Sequence, residues 1–277
     1  MKVKYRLLFF NRYLLLVTVI TIFLPFLVWL ISSEFLSALF VWNISSTGLT
    51  RWEYIQMMYS FFAYMVDGFS VIQLLAPVLV TVAIVPFFNL KKVLPFIYPR
   101  IKSYKKWLIK NILLYLSVAC LAMYVGYLIF MMVGALLLPA IDVDTDLFSD
   151  ILGANFSHNH PYLYYLLEGF LRYVIFMFVY GLFSVSISFL TQKIYLCVLI
   201  PTAYYLILSL CISVFQGIFL TNKLSFLAPT YTLVPNDGFY INTFIVVFPL
   251  IPVAVFSIAV IVYQLYFNKE NDVYAFD

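Results

Sequence analysis

Long apolar runs alternate with short polar stretches along the whole chain. The runs at about 13–31, 71–90, 111–138, 164–190, 194–220 and 244–267 carry few charges or none at their centres. Each reaches or approaches the roughly 20 residues that an α-helix needs to cross a hydrocarbon core. The pattern predicts an all-α integral membrane protein, with six transmembrane helices in a single transmembrane domain over 1–277. Pro25 falls in the first run, Pro77 and Pro86 in the second, Pro201 near the start of the fifth, and Pro249 and Pro252 in the sixth. Each removes a backbone donor, so kinks or breaks are expected there, with neighbouring helices satisfying the freed groups.

The polar stretches between the runs set the orientation. Residues 88–110, FNLKKVLPFIYPRIKSYKKWLIK, hold Lys91, Lys92, Arg100, Lys102, Lys105, Lys106 and Lys110 and no acid. A basic loop between two apolar runs belongs on the cytoplasmic side. Pro95 and Pro99 bracket a break in it, after which Tyr104, Trp107 and Leu108 share one side of a short helix. Met1 to Arg12, with Lys2, Lys4, Arg6 and Arg12 among apolar residues, suits a helix lying in the headgroup region. The first apolar run lacks a small-residue cleavage site, so an uncleaved span is expected rather than a signal peptide. Segments 32–70, 140–163 and 221–243 are expected outside. The first is apolar enough (FLSALFVW, YIQMMYSFFAYM) to suggest interfacial or re-entrant pieces, and the second has Asp142, Asp144, Asp146 and Asp150 with no Lys or Arg. Thirteen of the 16 basic residues then lie inside, against Arg51, Arg172 and Lys223 outside, and both termini are cytoplasmic.

Composition narrows the function classes. At 65% hydrophobic and 10% charged, the 277 residues leave no soluble domain of useful size, so chemistry needing a large aqueous active site must occur on a partner. The net charge of +4 is explained by membrane sidedness and implies no nucleic acid. Cys120, Cys197 and Cys211 sit inside apolar runs without metal-ligand spacing and read as packing residues. The Phe, Tyr, Ile and Lys content set against little Ala hints at a bacterial source and a plasma-membrane location.

Two clusters are candidates for chemistry. Asp142 to Asp150 with His158 and His160 offers hard oxygen ligands and imidazoles, but it lacks the glycine and closing glutamate of the twelve-residue calcium loop. The HNHP spacing does not put two imidazoles on one helical face, so a solvated outer loop is the better reading. Glu168 and Arg172 are the only ionisable residues expected to enter the membrane, and four residues apart they share a helix face and can pair. Their ExxxR spacing is also met in intramembrane proteases of the CAAX-processing type, which need further glutamates and histidines on other spans; here both histidines fall in 140–163. No glycine is followed by lysine, so no phosphate-binding GxxxxGK[ST] loop occurs and this chain binds no nucleotide of its own by that motif. No series of acids or histidines crosses the bilayer for proton coupling.

The pattern resembles the membrane subunit of the type 2 family of ABC exporters. The residues carrying the resemblance are Met1 to Arg12, PRIKSYKKWLIKN from Pro99 to Asn111, the stretch from Pro161 to Pro201, and LAPTYTLVP from Leu227 to Pro235. The resemblance implies an interfacial amino-terminal helix, six spans, and a cytoplasmic coupling helix between spans 2 and 3 in which Arg100, Lys102, Tyr104, Lys105, Lys106 and Trp107 meet the ATPase. It also implies two ATPase subunits holding ATP and Mg, a second permease copy or a homologous permease, and no cofactor on this chain. Permeases of this group often carry an acid just before the coupling helix, whereas VPFFNLKK, 85–92, has none. A membrane-embedded immunity or binding protein acting without an ATPase is the alternative, and an intramembrane enzyme a third reading.

Overall fold

A computed structural model describes residues 11–32, 40, 48, 50, 52–54, 60–92, 103–138, 141, 147–153, 155–191, 193–219, 226–233 and 243–266. Most of the interfacial helix at 1–12, together with Arg100, Lys102, Asp142, Asp144, Asp146 and the tail from 267, lies outside the described residues. Among the described residues the chain is all helical: α1 (Arg12–Ser32), α2 (Phe61–Ala83), α3 (Val85–Lys92), α4 (Tyr104–Leu137), α5 (Ser149–Leu152), α6 (Phe156–Asn159), α7 (Pro161–Gly169), a π-helical segment (Phe170–Ile175), α8 (Phe176–Leu190), α9 (Ile194–Phe219), a 3-10 turn (Pro229–Thr232), α10 (Thr243–Val247) and α11 (Leu250–Tyr266). Five stretches are long and apolar enough to cross a membrane: Arg12–Ile31, Phe61–Lys91, Tyr104–Leu137, Pro161–Leu190 and Ile194–Ile218. This is the architecture of a multi-pass membrane protein. The sixth apolar run is divided at Phe248 and Pro249, and α11 alone has 17 residues, about 25 Å of helix.

Several boundaries differ from those read in the sequence. The second span begins at Phe61, not 71, because Ser60 caps it: the Ser60 hydroxyl accepts from the Ala63 amide at 3.0 Å. The stretch FFAYMVDGFS, expected in the outer segment, is thus its first ten residues. It is interrupted at Ile84, two residues before Pro86, whereas Pro25, Pro77 and Pro201 lie inside unbroken helices. No separate short helix stands before the third span among the described residues. Tyr104 to Lys110 are instead the first two turns of the 34-residue α4.

α2, α4 and α8 form the centre, with α1 laid on α2 and α4, α11 on α8, and α9 on α2 and α8. Apolar transfer from water cannot drive helices together inside a bilayer, so close packing and interhelical hydrogen bonds must. Tyr64 of α2 stacks on Phe130 of α4 with centroids 4.1 Å apart, and its hydroxyl donates to the Phe130 carbonyl at 3.0 Å. Trp29 of α1 meets the same tyrosine edge-on at 4.9 Å. α1 comes so near α4 at Gly126 that an added Cβ would stand 2.7 Å from the Thr21 carbonyl oxygen. On the other side the Ser184 hydroxyl donates to the Cys197 carbonyl at 2.6 Å, and Tyr205 of α9 donates to the Gln73 carbonyl at 2.8 Å.

The alternating helices bring the basic residues together at one end. Lys91 donates to the Ser188 carbonyl in the last turn of α8 and lies 4.5 Å from the Phe189 centroid. A cation there meets the negative end of the helix. Lys105, at the start of α4, lies 4.3 Å over the ring of Tyr266, at the end of α11. Lys193 sits 6.0 Å from the Tyr195 ring.

Candidate functional site

The polar centre of the bundle is assembled on α7 and the π-helical segment. Pro161 starts α7, where its fixed φ and missing N–H cost nothing. The turns that follow point Tyr164, Tyr165, Glu168 and Gly169 inward. One turn on, Arg172 lies within the π-helical segment. Its Nη2 is 2.6 Å from Glu168 Oε1, with both side chains largely buried. The same carboxylate oxygen is 3.4 Å from the Tyr164 hydroxyl, and Arg172 Nη1 donates to the Leu233 carbonyl at 3.1 Å. Arg172 therefore ties the segment after the 3-10 turn to the middle of the bundle. Its Nε is buried without a hydrogen-bond partner among the described residues.

Two tyrosines of α4 serve this region from across the interface. The Tyr127 hydroxyl donates to the Tyr165 carbonyl at 3.0 Å, and the Tyr124 hydroxyl to the Leu166 carbonyl, also at 3.0 Å. Both acceptors lie in α7 just before the helix widens to π spacing, and the Leu166 carbonyl also accepts from the Phe170 amide. The Tyr127 ring lies against Gly169, in the space a Cβ would occupy. Phe69 of α2 and Tyr173 of the π-helical segment complete an aromatic wall, each about 5 Å from Tyr127.

Against this wall lies a cleft of about 40 Å³. Glu168, Arg172 and Gln73 supply its side-chain polar groups, and Phe62, Met65, Val66 and Phe69 its apolar side. It has room for a few water-sized groups, far below the roughly 300 Å³ of a drug-sized site. The ion pair presents no net charge to the cleft. Its evident task is to hold α7, the π-helical segment and Leu233 in one arrangement, with a small hydrogen-bonding opening beside it.

The residues expected to meet an ATPase divide between two faces of α4. Tyr104 and Trp107 are half-buried and pack on the core, and Leu108 and Asn111 beside them are buried. Asn111 donates to the Trp107 carbonyl at 2.6 Å. Lys105 and Lys106 are exposed. In the 140–163 segment, Asp150, His158 and His160 are exposed, and among the described residues no three His, Cys, Asp or Glu side chains gather as metal ligands would. Cys120 and Cys197 are buried, whereas Cys211 is exposed on α9.

Sequence reasoning finds Glu168 and Arg172 by their spacing but misses Tyr127, Tyr165, Gln73 and Leu233. A tyrosine among 23 carries no mark of its partner, and a backbone carbonyl carries no sequence signal. No protein-family model, curated protein or solved structure matches this chain.

Proposed function

We propose that this chain is the transmembrane permease subunit of an ATP-driven exporter of the type 2 ABC kind, moving an amphipathic peptide, drug or lipid-like molecule out of a bacterial cell. In this reading α10 and α11 together form the sixth span, since residues 243–266 at 1.5 Å each reach about 36 Å. Both termini then lie in the cytoplasm, and the basic end of the bundle faces two ATPase subunits that hold ATP and Mg. A second permease, identical or homologous, completes the path.

The observation that carries this reading is the length and charge of α4. At 34 residues it is about 51 Å long, well beyond the roughly 30 Å of a hydrocarbon core. Its surplus is the basic first two turns, with Lys105, Lys106 and Lys110 and no acid. A force applied there passes along α4 to Tyr124 and Tyr127, and hence to the polar centre. Besides the basic turns of α4 and the Glu168–Arg172 pair, only Asp67, the seventh residue of α2, is charged away from the ends of the described spans, which suits an amphipathic cargo better than an ion.

Affinity purification of the tagged chain from its native membrane in mild detergent, with mass spectrometry of what stays bound, tests this. A stoichiometric ATPase carrying a nucleotide-binding loop is expected; a chain recovered alone or with a small peptide overturns it. One observation favours the second reading, a membrane-embedded immunity or binding protein without an ATPase. Among the described residues of the expected docking face, Tyr104 and Trp107 turn into the core and Lys105 lies over the Tyr266 ring, which leaves Lys106 outward.

A further inference from the structure

We propose that the first turns of α4 bind an anionic phospholipid, its phosphate between Lys106 and Lys110 and its acyl chain along Ile109, Leu113 and Leu114. These residues, with Ser117, line a shallow, wide-open groove on one face of the helix, bounded by α4 alone among the described residues. Lys106 and Lys110 are four apart and so stand one turn above each other, and the apolar positions continue the same stripe. From Lys106 to Ser117 the groove runs about 16 Å along the axis, cationic at its mouth and apolar below. Ile109 is 40% exposed and Leu113 47%, while Leu108 and Ile112 on the opposite face are buried.

Charge selects the headgroup. The sequence holds no acid between Asp67 and Asp142, and Glu168 with Arg172 is the only ion pair among the described residues. Among the described residues Lys106 and Lys110 thus meet no carboxylate, while Lys105 leans away over Tyr266. Two ammonium groups at headgroup depth attract a phosphate that bears net negative charge and gain little from a zwitterion. Depth selects the class of partner. A water-soluble acidic protein can reach the lysines but not the floor at Leu113 and Ser117, about one and two turns beyond Lys110 in the apolar span. A phospholipid presents phosphate and chain in that order. The proposal does not depend on an ATPase.

The test is native mass spectrometry of the full chain in detergent with an equimolar mixture of phosphatidylglycerol and phosphatidylcholine of matched chains. One phosphatidylglycerol per chain is expected in preference to phosphatidylcholine. Each lysine near a charged surface contributes roughly fivefold, so Lys106→Gln with Lys110→Gln should cut that retention by about 30-fold, while Lys193→Gln leaves it unchanged. Leu113→Trp, which fills the floor and keeps both charges, should weaken long-chain phosphatidylglycerol but not a short-chain form. Equal retention of the two lipids, or retention unaltered in the double lysine variant, overturns the proposal. A stable dimer that shields both lysines from acetylation in lipid-free detergent also overturns it and assigns the groove to a second copy.

Discussion

Tyr127 lies flat against Gly169, and its hydroxyl reaches past that glycine to the carbonyl of Tyr165, one turn earlier on the same helix. One side chain of α4 thereby fills the space at Gly169 and hydrogen-bonds the backbone where α7 gives way to π spacing. Tyr127→Phe keeps the ring and loses the bond, and should cost about 0.6 kcal/mol, the usual worth of an interhelical hydrogen bond in a bilayer. Gly169→Ala collides with the ring and should cost about 1–3 kcal/mol. Reversible unfolding in mixed micelles would rank the two; equal losses would mean the ring has room to move.

Removing one member of the Glu168–Arg172 pair leaves the other charge buried. Glu168→Gln or Arg172→Gln should each destabilise by about 3–5 kcal/mol, while the two changes together should cost less than their sum. A double-mutant cycle on unfolding free energies checks this. Additive losses would show that the two side chains act separately.

Trp107 is a packing residue in this structure, so Trp107→Ala should lower stability by about 3 kcal/mol even without a partner protein. Lys106→Glu should leave unfolding nearly unchanged. If an ATPase docks here, charge reversal at Lys105 and Lys106 should reduce its co-purification at normal membrane levels of the chain. Unchanged capture in that variant would sink the coupling role of these residues.

Gly126→Ala should push α1 away from α4. The obstacle is the Thr21 carbonyl, which is backbone and cannot rotate aside. A cysteine pair across the α1–α4 contact should crosslink readily in the parent chain and poorly in the alanine variant. Equal crosslinking would show that the helices slide without parting.

Glu53 accepts from both the amide and the hydroxyl of Thr50, at 2.7 and 2.8 Å, in a capping box. The backbone bond first, then the hydroxyl, holds its carboxyl below the usual glutamate range. The lowered folded-state value means that the contribution is present above the unfolded value and fades as pH falls through the folded one. The Thr50 amide resonance should titrate with a midpoint below that of an ordinary glutamate, and should not titrate with it in Glu53→Gln.

Much of the architecture was legible from hydrophobic runs because the bilayer forces backbone groups to pair within helices. Where boundaries went astray, the deciding contact was local but unweighted or distant. Ser60, four residues after Gln56 in a tyrosine- and methionine-rich stretch, starts α2, while a reading by composition took that stretch for interfacial. The extent of α4 escapes because Tyr104, Trp107 and Leu108 read as one side of a separate short helix within the basic loop, whereas that helix runs on without a break into the third span. Glu168 and Arg172 announced themselves by spacing. The π-helical segment did not, since the tyrosines that reach the backbone just before it, at Tyr165 and Leu166, lie about 40 positions away.

The three contacts at the basic end share a chemical trait. Lys91 meets a carbonyl and an aromatic face, Lys105 a tyrosine ring, and Lys193 another. Among the described residues none uses a carboxylate as acceptor. Acidification to below about pH 4, which discharges the carboxylates of ordinary surface ion pairs, leaves a peptide oxygen and a π-face unaltered and keeps each ammonium protonated. The ends of α3, α4, α8 and α11 are thus clasped by fasteners indifferent to a cell's acid stress.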